Sequence, residues 1–358
     1  MSGYDYGNAR LRVMKSRLLS KRELETLAES GSLQGLIAAL TMTAYRKPVE
    51  TALARVGGLD CINEAIRIDL VSTLGHMRSF YNERPGEMVA IVLRTYDIYN
   101  LKAILRGLSK NASLREIQAT LLPIGELRSD ILMQLASASR PRGAIDKLAS
   151  LGSPYAGPLI KLRAEQPGAE LLNMEMALDR WHYLEACDFL RKEFLTDEIL
   201  YFNLNLDIDL VNLLTALRFV HAPAERKQLR ERFGTDRLDV QFFGPGRLPI
   251  ALLVRVADQQ TIEAAVGALA GTLYEKPLIE GLRGFARSGK LSEFERQLNR
   301  FRLNWASKLI TKDPLGIGVV LGYLALKTNE VRNLRWTAQG IHLGLKLDSI
   351  LAEMEFVE

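Results

Sequence analysis

Gly35-Leu-Ile-Ala-Ala-Leu-Thr-Met-Thr-Ala-Tyr-Arg-Lys-Pro48 and Ala264-Ala-Val-Gly-Ala-Leu-Ala-Gly-Thr-Leu-Tyr-Glu-Lys-Pro277 are two versions of one phrase. Each is a run of small and apolar residues of helical character that ends in Thr-x-Tyr-x-Lys-Pro. A weaker third version runs from Ala144 through Leu148 to Tyr155-Ala-Gly-Pro158. Tyr-x-x-Pro thus occurs at Tyr45/Pro48, Tyr155/Pro158 and Tyr274/Pro277. Self-similarity at a fixed period is the strongest architectural signal a single sequence carries.

A second marker follows each tyrosine. Asp97-Ile-Tyr-Asn100-Leu, Asp209-Leu-Val-Asn212-Leu and Glu330-Val-Arg-Asn333-Leu share an acid-x-x-Asn-Leu pattern. Between the markers, Ile66, Leu178 and Leu298 hold equivalent apolar positions. Upstream, Leu18-Leu19-x-x-x-Glu23-Leu24 resembles Leu121-Leu122-x-x-x-Glu126-Leu127. The period of roughly 110–120 residues is too long for a solenoid repeat and fits three related domains, 1–115, 116–235 and 236–358.

Local pattern reads as helix almost throughout. Leu24, Leu27, Leu33, Leu36 and Leu40 fall at helical spacing with a break expected near Gly31. The stretch from Leu172 to Phe194 reads as one long helix, and Leu101/Leu105 and Leu213/Leu217 form apolar i,i+4 pairs. Pro48, Pro158 and Pro277 suit the first turn of a new helix, which puts each tyrosine in the corner before it. The one strand-like stretch is Leu238-Asp-Val-Gln-Phe-Phe243. An all-α fold is expected.

Composition excludes several functions. The chain has 358 residues, ordinary apolar and charged fractions, and a net charge of +5 without a Lys/Arg block of the kind that binds nucleic acid. Cys61 and Cys187 lack CxxC spacing, and the histidines His76, His182, His221 and His342 lack metal-ligand spacing. No signal peptide is expected at the N-terminus. The longest uncharged apolar run, Pro314 to Leu326, is shorter than the roughly 20 residues of a spanning helix.

Two phrases brush against nucleotide motifs. Gly284-Phe-Ala-Arg-Ser-Gly289-Lys290-Leu291 matches most of a phosphate-binding loop, but Leu291 stands where the magnesium-binding hydroxyl belongs and no strand precedes it. It reads as an inter-helix turn. Gly316-Ile-Gly318-Val-Val-Leu-Gly322 has glycine spacing wrong for a dinucleotide fingerprint and reads as close helix packing, with Asp313-Pro314 as a helix start. Asp207/Asp209 and Glu293/Glu295 have no nucleophile or histidine beside them and read as solvated charges. Asn100, Asn212 and Asn333 are poor helix formers that recur in register, which suits ties between backbone segments better than a ligand site.

From Asp313-Pro-Leu-Gly-Ile-Gly-Val-Val-Leu-Gly-Tyr-Leu-Ala-Leu-Lys-Thr-Asn-Glu-Val-Arg-Asn-Leu-Arg-Trp336 and Gln339-Gly-Ile-His-Leu-Gly344 the chain resembles the C subunits of archaeal and bacterial A/V-type ATP synthases, a family that includes the d subunits of eukaryotic vacuolar ATPases. Tyr6-Gly-Asn-Ala-Arg10-Leu-Arg12-Val-Met-Lys15-Ser-Arg17-Leu-Leu19 and Tyr96-Asp-Ile-Tyr-Asn-Leu-Lys102 carry the same likeness, with this chain somewhat longer than typical prokaryotic members. The resemblance implies a funnel of three similar helical domains about a pseudo-threefold axis with a central cavity. It implies a non-catalytic rotor component on the cytoplasmic face, one copy per complex, between the D and F shaft proteins and the membrane proteolipid ring. No catalytic, cofactor or metal residue is implied. The stripe Arg10, Arg12, Lys15 and Arg17 is the candidate partner contact. A helical scaffold outside rotary ATPases is the alternative.

Overall fold

The computed structural model describes residues 3–192, 197–224, 226–227 and 238–357. Every regular element among them is a helix, and one succession recurs three times. A short helix (Lys21–Ala28, Ser129–Ala136, Ile250–Ala257) leads to a second (Leu33–Leu40, Pro141–Ser150, Ile262–Gly267). A corner helix follows directly after each marker tyrosine (Arg46–Leu53, Ala156–Glu165, Glu275–Ser288). Two long helices come next: Gly58–Arg78 and Glu83–Ser109, Leu171–Lys192 and Glu198–His221, Ser292–Lys312 and Gly318–His342. A short element closes each succession: Leu114–Thr120, the 3₁₀ turn Leu238–Gln241, and Leu347–Glu353. Helix Asp5–Lys15 precedes the first copy.

Local chemistry sets the helix ends. Ser20 and Ser113 each form a capping box with the glutamate three residues on, and Ser32 and Thr261 accept the N–H of Gly35 and Ala264. The expected break falls at Gly31, whose φ of +66° is the left-handed region that glycine enters without penalty. Pro48, Pro158 and Pro277 lie in the first turn of the corner helices, where the missing N–H has no partner to lose. The strand-like stretch from Leu238 is a 3₁₀ turn instead. Its Phe242 and Phe243 are buried, and the Phe243 backbone bonds a side chain rather than another strand.

The chain divides into two compact units, residues 1–179 with 306–358, and residues 180–305. In the first, the last long helix Gly318–His342 packs against Asp5–Lys15, Lys21–Ala28, Leu33–Leu40 and Gly58–Arg78. The two ends of the sequence therefore share one core. Asn8 donates to the carbonyls of Pro314 and Gly316 at 3.3 and 3.0 Å and accepts from the Tyr81 hydroxyl at 2.9 Å. In the second unit, Leu206, Leu213, Leu253, Ala265, Tyr274, Leu278 and Phe294 belong to one apolar cluster. Among the described residues, no helix is long and apolar enough to cross a membrane.

Candidate functional site

The repeated markers meet one another, but not within a copy. An acid and an Asn three residues apart lie on one face of each second long helix. The Asn pairs with one backbone residue through both its amide atoms. Asn100 donates to the Leu122 carbonyl and accepts its N–H, both at 2.7 Å. Asn212 does the same to Phe243 at 2.8 and 2.8 Å, and Asn333 to Glu355 at 2.8 and 3.1 Å. Each bonded residue lies just past the short closing element of its copy. The side chain thus completes a non-helical backbone residue as a neighbouring strand would, in a place where an unpaired N–H or C=O costs about 1–3 kcal/mol.

The acid holds the segment that follows. Asp97 accepts the N–H of Glu126 and Leu127 at 2.8 and 3.0 Å, and the Tyr155 hydroxyl at 2.8 Å. Asp209 accepts the N–H of Arg247 and Leu248 at 3.2 and 3.1 Å, and the Tyr274 hydroxyl at 2.7 Å. Glu330 accepts the Leu19 N–H at 2.5 Å and the Tyr45 hydroxyl at 2.7 Å. Each tyrosine thus bonds the acid of the preceding copy, and the third acid bonds the first copy's tyrosine, 285 residues away. Asp209 is fully buried, a correction to its reading as a solvated charge. Its neighbour Asp207 is the more open of the two and pairs with Arg302.

Burial governs these groups electrically. It raises the Asp97 and Asp209 carboxyls above their ordinary value even against their hydrogen-bond donors. It pushes the Tyr45, Tyr155 and Tyr274 hydroxyls well up, with the facing carboxylates adding to the shift. The tyrosines are therefore neutral donors and the acids acceptors. The third lock also holds a buried cation. Buried Lys327 reaches Glu330 at 2.5 Å, Asp69 at 2.6 Å and the Tyr45 hydroxyl at 3.0 Å.

Sequence reasoning missed four residues here. A Cβ on Gly125 or Gly246 would stand 2.3 Å from an oxygen of Asp97 or Asp209, so only glycine lets the carboxylate approach the backbone. Their signal is Gly-x-Leu after the first two Asn markers, hidden by connections of unequal length. Lys327 and Asp69 had no signal because no other copy repeats them together. The register of the upstream resemblance also changes. Leu19 answers to Leu127 and Leu248, not to Leu122, since all three N–H groups go to a marker acid and a helix starts two residues later.

The motif-like phrases resolve as packing. Gly284–Ser288 continues the corner helix, and Gly289 ends it at φ +67°. The helix after Asp313 begins at Gly318 rather than at Pro314, with the Asp313 carboxylate accepting the Gly318 N–H at 2.7 Å. A Cβ on Gly322 would meet the Ala306 carbonyl at 2.8 Å and Ile310 at 2.5 Å. Glu293 pairs with Arg296 at 2.5 Å. Cys61 and Cys187 are buried free thiols, and burial lifts Cys187 to about 11. Among the described residues, no group of three or more His, Cys, Asp or Glu is placed to hold a metal. In the basic stripe, Arg10, Arg12, Lys15 and Arg17 are exposed. Arg12 is engaged with the Pro314 carbonyl at 2.6 Å, and Arg10 lies 5.0 Å over the Phe80 ring.

The profile of the ATP synthase (C/AC39) subunit family matches residues 7–353. The chain is 25% identical to the A-type ATP synthase C subunit of Methanocaldococcus jannaschii, over 98% of this chain and 86% of that one. It is 27% identical to the A-type C subunit of Methanococcoides burtonii, over 95% of this chain and 90% of that one. To the V-type ATP synthase C subunit of Deinococcus radiodurans it is 27% identical, over 98% and 91%. The larger unmatched share lies in the relative each time, so this chain is not the longer one, contrary to expectation.

Proposed function

The chain belongs to the ATP synthase (C/AC39) subunit family, and on that footing we propose that it is a non-catalytic rotor component of the central stalk of an A/V-type ATP synthase or ATPase. In this reading it is a socket between a shaft of the D and F proteins and the membrane-embedded proteolipid ring. It passes torque during ion-driven ATP synthesis or ATP-driven ion pumping, at the cytoplasmic face, as one copy per complex. Its three related domains, 1–115, 116–235 and 236–358, stand around a pseudo-threefold axis that leaves a cavity for the shaft.

One observation carries the reading. The buried polar groups that the sequence repeats are consumed in internal bonds, the Asn and acid side chains to backbone and the tyrosine hydroxyls to the acids. What is repeated is rigidity, the property that a torque-bearing part needs. The exposed cations of the stripe, Arg10, Arg12, Lys15 and Arg17, are the proposed contacts with acidic or polar partner surfaces. Purification of the membrane ATPase from cells lacking this chain tests the proposal. The expected result is a head and shaft that no longer copurify with, or drive, the ring. A complex that remains coupled without the chain would overturn it.

A further inference from the structure

Two of the three tyrosine locks close between segments near each other in sequence, 58 and 65 residues apart, whereas the Tyr45–Glu330 lock spans 285. For Glu330 the tyrosine of its own copy, Tyr274, is far nearer along the chain. Loop-closure entropy alone favours that wrong partner roughly tenfold. Tyr155 is a second wrong partner, because all three corners offer the same hydroxyl ahead of the same kind of helix.

The residues around the locks break this degeneracy. Three positions before the acids stand Arg94, Leu206 and Lys327. Three positions after the equivalent apolar residues Ile66, Leu178 and Leu298 stand Asp69, Trp181 and Phe301. In the Asp209 lock this place is aromatic, with Phe301 edge-on to Tyr274 at 5.9 Å. In the closing lock it is Asp69, 2.6 Å from Lys327, which is only 4% exposed. A corner bearing Trp181 or Phe301 would leave the Lys327 ammonium buried without that second carboxylate. Breaking a buried ion pair is strongly destabilising, whereas an intact one adds little over apolar packing. The pair is thus poor as glue and well suited to selection.

We propose that the Asp69–Lys327 pair is the selectivity element that assigns Tyr45, rather than Tyr155 or Tyr274, to Glu330, and so closes the chain between its two ends. This is independent of the rotor assignment. Lys327→Leu combined with Asp69→Phe copies the Leu206 and Phe301 of the Asp209 lock in the full-length chain. The protein purified in its native state should keep its helical content. Its urea midpoint should be lowered, because Lys327→Leu removes the ammonium that lies 2.5 Å from buried Glu330, so refolding is read at a dilution well below that midpoint. After complete unfolding in urea and dilution, the recovery of native monomer should fall about threefold or more. The remainder should lack hydrogen-exchange protection at Leu19 and over Lys21–Ala28. Recovery and protection equal to the parent's would overturn the proposal. If the double variant fails to accumulate folded in cells, backbone cyclisation through a Gly/Ser linker from Glu358 to Met1 decides. It makes the closing lock local in sequence, so selection is no longer needed. Rescue by cyclisation supports the proposal, and failure of rescue shows a pair required by the folded joint itself and overturns it.

Discussion

Removing the hydroxyl of Tyr155 or Tyr274 leaves a buried carboxylate with its two backbone donors and one position empty. Tyr155→Phe and Tyr274→Phe should each lower stability by about 1–3 kcal/mol, read from urea unfolding. The acids make a distinct prediction with pH. Burial raises Asp97 and Asp209 above 3.8 in the folded chain, so the native state binds more protons than the unfolded one just above that value. Their contribution is complete below pH 3.8 and is lost as pH rises through the raised value. Parent stability should therefore carry a component that falls with rising pH in this window. Urea midpoints measured against pH should show that component reduced in Asp97→Asn and in Asp209→Asn. At this scale the sequence was half legible. Tyrosine, acid and asparagine recur visibly, but Gly125, Gly246 and Asp69 act through what faces them, which spacing does not record.

Helices were the most legible level. Apolar spacing, the three corner prolines and the Gly31 break placed elements because each is a local property of a few residues. Besides the start expected at Asp313-Pro314, which falls at Gly318, the exception was Leu238–Phe243, where two adjacent phenylalanines and a valine imitate a strand. Its backbone is instead completed by Asn212, a partner that local pattern does not reveal. Helix contact also explains Gly322, whereas Gly316 and Gly318 make room chiefly for the Asp313 side chain. Gly322→Ala would drive a methyl group against the Ala306 carbonyl and Ile310 on the preceding long helix. Thermal unfolding should show a loss of about 1–3 kcal/mol, the range for overpacking between rigid backbones.

For the whole molecule, the consequential fact is that the first and last segments share a core. Helix Asp5–Lys15 buries Leu11 completely and ties Asn8 to the turn before Gly318–His342. Deleting residues 1–17 should lower stability by about 3 kcal/mol or more, from one leucine and several lost hydrogen bonds. Calorimetry of the truncated chain checks this, and an unchanged transition would contradict the shared core.

Residue type at fixed local spacing was enough to establish the helices, the threefold recurrence and the family resemblance. The same spacing also displayed the tyrosines and acids of the locks, without saying which meets which. A tyrosine of the same copy and one of the next copy lie at similar distances from Asp97, and an identical motif gives no preference between them. That each tyrosine crosses to the preceding copy, and that Tyr45 returns to Glu330, emerged with the folded arrangement alone. Such pairing depends on burial and on the charge that faces each corner. In the closing lock, both arise only when segments from opposite ends of the chain come together.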